Sequence, residues 1–266
     1  MNLLVVGASG FLGAEVCRQA VAAGHRVAGT YHRAAVAVPG VAPHRLDVTD
    51  RAAVRELLTR VRPDAVVATP YRYDDWAVTA DGAAHIAVAA AEVDARLVHL
   101  SSDALHAGRP APYADEDVPT PLHAYGAAAE TAVRAVDPGA ALVRTSLIVG
   151  EGSKQIHLCR EALAGRATLF TDELRCPVHV ADLAAAVLEL VPGDYAGLLN
   201  VAGPDAVSRA ELGLLVARHD GVDTGGLRTT TIAAAGLRRP GEVVLDSTRA
   251  AGLLRTRLRG ITELYG

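Results

Sequence analysis

Three evenly spaced glycines, Gly7, Gly10 and Gly13, stand directly after the apolar run Leu3 to Val6 and open a helical pattern that continues to Ala22. A backbone at such a place must turn sharply, and it can approach a pyrophosphate at the positive end of the helix. Gly7 permits the turn, Gly10 brings backbone amides close to phosphate oxygens, and Gly13 lets the helix lie close on the strand. Ser9 adds a hydroxyl donor, and Phe11 and Leu12 complete the same cofactor-contacting loop. A bare three-glycine pattern also fits a plain structural turn; its place between strand and helix favours a dinucleotide.

A cofactor with a free 2′-hydroxyl usually meets Asp or Glu at the end of the second strand. Here that strand ends Thr30-Tyr31-His32-Arg33, with no carboxylate. Arg33 offers a charged fork to a 2′-phosphate, so the expected cofactor is NADP(H) rather than NAD(H). Asp47 and Val48 follow the third strand and would sit at the adenine edge. The plainer role for Asp47 is capping the next helix, which Thr49 or Asp50 would serve equally well.

The elements that must position these residues alternate along the chain. After the opening strand, helix and second strand (His25 to Thr30) come a helix from about Asp50 to Arg60 and the strand Ala65 to Ala68. A helix from about Ala80 to Glu92, the strand Arg96 to Ser101, a helix from Tyr125 to Val136 and the strand Ala141 to Ser146 follow. Six or more strands alternating with helices predict an α/β, doubly wound parallel Rossmann sheet. Beyond Val149 the alternation loosens, with helices near Ile156 to Ala164, from Ala181, and over Ser208 to His219. The expected division is an NADP-binding core over 1–150 and a small substrate lobe over 151–266. The lobe packs on the core, some of its segments return to the sheet, and the cleft between the two takes the ligand.

Composition narrows the function classes. Aromatics make up only 4% of 266 residues, so the core must be built from small aliphatics. Twenty-six basic against 30 acidic residues leave a net charge of −4, which speaks against nucleic acid. Cys17, Cys159 and Cys176 are odd in number and lack metal spacing, so they read as small buried hydrophobes in a reducing compartment. No apolar run has the length of a signal core or a membrane span, and a cytoplasmic protein without a membrane partner is expected. The basic stretch Arg255 to Arg259 reads as a solvated helix. Lys154 is the one lysine among the 26 basic residues.

Taken together, several segments carry a family likeness: the GxxGxxG loop, Leu46-Asp-Val-Thr-Asp50, Val98-His-Leu-Ser-Ser-Asp103, Tyr125-Gly126, Val143-Arg-Thr-Ser146 and Cys176-Pro-Val-His-Val-Ala-Asp-Leu183. Over nearly its whole length the chain resembles the extended short-chain dehydrogenase/reductases, within them the dTDP-4-dehydrorhamnose reductase-like, sugar-nucleotide-modifying group. The resemblance places two hydroxyls at the nicotinamide, and they fall on Ser102 and Tyr125. Ser102 would polarise a carbonyl as hydride reaches its carbon, and the Tyr125 phenol would supply the proton. Read without the resemblance, Ser102 closes a strand and Tyr125 is an amphipathic residue at a helix start.

The family's Tyr-x-x-x-Lys pattern is broken here. Its lysine, one helical turn beyond the tyrosine, lowers the phenol pKa and holds the ribose; this chain has Ala129. Glu130 is no substitute, because a nearby carboxylate raises a phenol's pKa. Lys154, in a loop that borders the cleft in this fold, is a candidate replacement, although a solvated lysine is the plainer reading. A second departure follows the fourth strand, where Ala68 and Thr69, taken as cofactor contacts, lead into Pro70-Tyr71-Arg72-Tyr73-Asp74-Asp75-Trp76. That aromatic-rich segment suits either lining the pocket or packing under the C-terminal lobe. Arg175 and His179 flank another family-like stretch, in which Asp182 is expected to cap the helix beginning at Leu183.

These features imply an NADPH-dependent reductase of a keto group on a small molecule, by resemblance a nucleotide-linked 4-keto-6-deoxy sugar. The alternative is an NADP-binding protein that has lost catalysis and serves as a regulatory or assembly subunit. A third reading, a non-redox reaction such as epimerisation, is weaker because most such routes begin with an oxidation that needs an activated tyrosine. A homodimer is compatible with the sequence.

Overall fold

In the computed structural model, which describes residues 1–266, strands and helices alternate as the sequence pattern predicts. The order is β1 (Asn2–Val6), α1 (Phe11–Ala22), β2 (Arg26–Tyr31), β3 (Val41–Arg45), α2 (Arg51–Val61) and β4 (Ala65–Ala68). A π-helical turn, Ala77–Asp81, runs into α3 (Gly82–Glu92), followed by β5 (Arg96–Ser102), α4 (Tyr125–Val136) and β6 (Ala141–Thr145). Then come β7 (Ile148–Val149), α5 (Lys154–Leu163), β8 (Thr168–Phe170), β9 (Leu174–Arg175), β10 (Val178–His179) and α6 (Val180–Leu190). The chain closes with β11 (Gly197–Asn200), β12 (Val207–Ser208), α7 (Arg209–Asp220), β13 (Arg228–Thr230), α8 (Thr248–Leu253) and α9 (Ile261–Tyr265).

Two compact units share the chain. The first comprises Met1–Ser102, His123–Arg144 and Ala184–Leu199 and carries the main sheet. Seven strands lie in the order β11-β6-β5-β4-β1-β2-β3, and β3, β2, β1, β4 and β5 pair in parallel. Strand order reverses between β1 and β4, so the turns leaving these two strands border the crevice where ligands of such sheets bind. Val and Ala fill β4, every residue of which is buried, as a strand covered on both faces requires. Small residues let helices lie close: a Cβ added to Gly82 of α3 would come 2.8 Å from a Val48 methyl. Asp50 caps α2 by accepting from the Ala53 amide.

The second unit comprises Asp103–Leu122, Thr145–Leu183 and Asn200–Gly266. It contains three two-stranded ribbons, β7 with β10, β9 with β12 and β8 with β13. Its core joins α5, α7 and α9 through Ile156, Cys159, Leu212, Val216 and Ile261. A reciprocal Ser208/Glu211 capping box starts α7 and Gly221 in left-handed conformation ends it. Two expectations fail here. Asp182 lies inside the first turn of α6 rather than capping it; its carboxylate accepts from the Arg259 guanidinium at 2.6 Å and the Arg259 amide at 3.0 Å. The residues Arg255 to Arg259 form no helix: α8 ends at Leu253, α9 begins at Ile261, and Arg259 is held by that ion pair. The three cysteines are free and buried; burial pushes the Cys17 thiol up to about 12 and those of Cys159 and Cys176 to about 11. No helix is long and apolar enough to cross a membrane.

Candidate functional site

Apart from Lys154, the residues singled out for cofactor and chemistry lie in the first unit, at the carboxyl ends of β1, β2, β3, β4 and β5 or in the turns and helix starts that follow. Gly7 turns the chain out of β1 at φ +84°, donating to Thr30 Oγ1 at 3.0 Å, and its carbonyl accepts from the Gly10 amide at 2.9 Å. Thr69, after β4, braces the turn by donating its hydroxyl to the Val6 carbonyl at 2.9 Å. Ala68 is buried at the end of β4. A Cβ on Gly7 would stand 2.6 Å from Thr69 Oγ1, and one on Gly13 would stand 2.2 Å from the Gly7 carbonyl oxygen. No side chain fits at either position.

Gly10 is extended (φ −79°, ψ 165°) and serves as N-cap of α1 without any side-chain hydrogen bond to the first turn. Ser9, Gly10 and Phe11 are exposed, while Leu12 and Gly13 are buried against the sheet. Helix α1 thus presents uncapped amides and the positive end of its dipole in a close-packed glycine turn, which fits a pyrophosphate.

Arg33 lies beyond β2, exposed and without a hydrogen bond or ion pair to the chain. Asp47 has local partners: Oδ1 accepts from the Thr49 amide (3.0 Å) and hydroxyl (2.8 Å), and Oδ2 is 3.9 Å from His32 Nε2. The Thr49 hydrogen bonds hold its carboxyl below the usual range. Since Asp50 caps α2, Asp47 shapes the preceding turn instead. Val48 is buried, its carbonyl 3.0 Å from His85 Nδ1.

Ser102 is the last residue of β5 and Tyr125 the first of α4, both buried. The Tyr125 ring meets Tyr71 edge-on at 6.0 Å and stacks with His123 at 6.0 Å; Tyr71 in turn meets Tyr73 edge-on at 5.4 Å. The 71–76 segment therefore contributes an aromatic neighbour to the phenol, a contact that sequence spacing does not reveal. Thr79 pins the segment, accepting from the Arg72 amide and donating to the Arg72 carbonyl. Burial pushes the Tyr125 phenol above its ordinary value and the Asp74 carboxylate adds to this, while a hydrogen bond from the Asp74 backbone works against it.

Ala129, one turn along, is 1% exposed and belongs to an apolar cluster with Ile86, Leu97 and Val133. Glu130 turns to Arg144 and Ser101 rather than to the phenol. Lys154 is exposed on the first turn of α5, in the second unit. In the same unit Arg175 donates to the carbonyls of Leu174, Pro240 and Gly241, and His179 Nδ1 accepts from the Ala181 amide at the start of α6. Both are tied to local structure.

Comparison with known proteins agrees with this architecture. A family model described as the RmlD substrate binding domain matches residues 1–263. A dTDP-4-dehydrorhamnose reductase of Mycobacterium tuberculosis is 30% identical, over 99% of this chain and 88% of its own length. The crystal structure of a hypothetical dTDP-4-dehydrorhamnose reductase from Sulfolobus tokodaii superposes with a TM-score of 0.84 at 28% identity, covering 97% of both chains. A dTDP-4-dehydrorhamnose reductase from Bacillus anthracis in complex with NADP gives a TM-score of 0.82 at 20% identity, over 98% of this chain and 96% of that one.

Proposed function

The chain belongs to the RmlD substrate-binding-domain family and is an oxidoreductase of the extended short-chain dehydrogenase/reductase fold, and from that premise we propose that it is an NADPH-dependent reductase of a small-molecule ketone, the keto group being carried on a nucleotide-linked 4-keto-6-deoxy sugar. The observation that carries the reading is the pairing, within one unit, of an uncapped glycine-turn helix end with a buried phenol that burial keeps protonated.

In this reading the amides of Gly7 to Gly13 and the Ser9 hydroxyl hold the pyrophosphate, and Phe11 and Leu12 complete that loop. Arg33 takes the 2′-phosphate, Asp47 and Val48 border the adenine, and Ala68, Thr69 and Tyr125 line the nicotinamide side. A nicotinamide held there would supply the hydride for the carbonyl carbon. Ser102 donates a hydrogen bond to the carbonyl oxygen, and Tyr125 passes its phenolic proton to that oxygen as negative charge develops. Burial favours this direction. A phenol of pKa about 10 is roughly 0.1% ionised at pH 7, and a raised value makes phenolate scarcer still, so an acid is at hand while a base for the reverse reaction is not.

The test is NADPH oxidation, followed by absorbance, with dTDP-linked 4-keto-6-deoxy sugars and with simple ketones. Tyr125→Phe should abolish turnover while NADPH still binds saturably. Turnover that survives this change refutes the assignment of Tyr125. A second reading is favoured by the hydrocarbon around Ala129: an NADP-binding regulatory or assembly subunit that binds the dinucleotide without turning over any ketone. Saturable NADPH binding with no oxidation across the substrate panel is its signature.

A further inference from the structure

We infer that Glu130 is a positioning residue for the reaction: its buried carboxylate fixes the helix that carries Tyr125 against the strand that ends in Ser102. The inference rests on the assignment of Ser102 and Tyr125 made above. Oε1 accepts from Ser101 Oγ at 2.7 Å and from Arg144 Nε at 2.9 Å, and Oε2 accepts from Arg144 Nη2 at 2.7 Å. Both charged side chains are buried, 4% exposed for Glu130 and 0% for Arg144. One carboxylate thus gathers bonds from two adjacent strands, β5 and β6. Ser101 is bonded directly to Ser102, and Glu130 lies five residues beyond Tyr125, roughly 7.5 Å along the same helix.

Little else on α4 has direction. Its buried residues are Tyr125, Gly126, Ala129, Glu130 and Val133, so Tyr125 and Glu130 alone bring polar side chains to the buried face. The N-cap, Ala124, makes no side-chain hydrogen bond to the first turn. Alanine and glycine on that face pack closely but set neither axial position nor rotation, because dispersion and apolar burial are non-directional. A lysine at position 129 would have tethered the helix to a ribose; Ala129 cannot. The two-bond fork between Arg144 and Glu130 does specify an angle and a height. A slip of α4 would move the Tyr125 hydroxyl relative to Ser102, and a displacement near 1 Å is worth about 100-fold in rate. Buried ion pairs are seldom needed for stability, since matched apolar replacements are often as stable, so a geometric role is the natural one to test.

The experiment compares wild type, Glu130→Gln, Glu130→Asp, the double replacement Glu130→Leu with Arg144→Met, and Tyr125→Phe. The double replacement fills the site with hydrocarbon and is expected to remain folded, with NADPH affinity and KM near wild type and kcat reduced about 10- to 100-fold. Glu130→Gln keeps the size and an acceptor for Ser101 but strips the counter-charge from buried Arg144; Glu130→Asp keeps that charge and serves if the other replacements fail to fold, with kcat falling less, again at nearly constant KM. A readout independent of turnover is the ultraviolet titration of the Tyr125 phenol, taken as the difference from Tyr125→Phe. Its midpoint, raised by burial in the wild type, should move down toward the ordinary phenol value once the helix is free to shift. Folded Glu130 variants with wild-type kcat, or with an unmoved Tyr125 titration where no ketone is turned over, overturn the inference. Full activity in Tyr125→Phe instead overturns the assignment on which it rests.

Discussion

Replacing Gly13 by alanine probes the cofactor cradle directly. The added Cβ would lie 2.2 Å from the Gly7 carbonyl oxygen, 2.8 Å from the Gly7 carbonyl carbon and 3.0 Å from Ala8 Cα. These neighbours are backbone atoms that cannot rotate aside, and relaxed contact needs roughly 3.5 Å, so helix and turn must part by about 1 Å. Overpacking of this kind costs about 1–3 kcal/mol of stability. The same movement withdraws the first amides of α1 from a phosphate, and losing one charge-assisted hydrogen bond, about 1.5–3 kcal/mol, weakens binding about 10- to 100-fold. Gly24→Ala is the matched control. Its φ of +80° makes alanine strained by roughly 1–2 kcal/mol, yet nothing lies within 4 Å of the new Cβ. Calorimetric titration with NADPH, alongside thermal unfolding, should show both variants less stable and only Gly13→Ala weak in binding. Equal NADPH affinity in Gly13→Ala and Gly24→Ala would refute the placement of the pyrophosphate at α1.

Three further outcomes follow from the same geometry. Arg33→Ala should weaken NADPH more than NADH in parallel titrations; equal losses place the 2′-phosphate elsewhere. Ala129→Lys would place an ammonium one helical turn from the phenol and lower the phenol's pKa, to the extent that the buried site keeps the lysine charged. More phenolate at neutral pH should then speed alcohol oxidation and move its alkaline limb down, and an unchanged pH profile would contradict the shared helical face. His99 is buried and held down to about 4, chiefly by desolvation, with Glu130 acting in the opposite direction. Unfolding releases it to about 6.5, so the unfolded state binds the proton more readily between these values. Stability should therefore fall as pH drops from about 6.5 to 4, by up to about 3 kcal/mol. His99→Phe should flatten that limb in urea unfolding followed across pH.

What the sequence made legible is what local rules control. The strand Ala65–Ala68 and the helix Tyr125–Val136 begin and end where the pattern places them, because an all-apolar run between Asp64 and Thr69-Pro70 and a helix face repeated every turn need no distant partner. The glycine turn was legible for the same reason. Pairs that meet only after folding were not. Glu130 and Arg144 are separated by 14 residues with a helix end and a turn between them, and Asp182 and Arg259 by 77. The latter pair explains both misread segments: a carboxylate near a helix start looks like a cap, and a run of arginines looks solvated, until each is seen to neutralise the other. Tyr71 against Tyr125 is likewise a tertiary contact, set by the Thr69 and Thr79 bonds that fix the intervening loop.

The position of Lys154 has a practical consequence. It is the sole side-chain amine in the sequence, and it stands exposed on the first turn of α5 beside the Ser153 cap. Apart from the chain's own amino terminus, an amine-reactive dye has a single address, and a protease selective for lysine has a single bond to cut, between Lys154 and Gln155. A fluorophore fixed there, or the rate of that one scission, would report the opening of this helix alone.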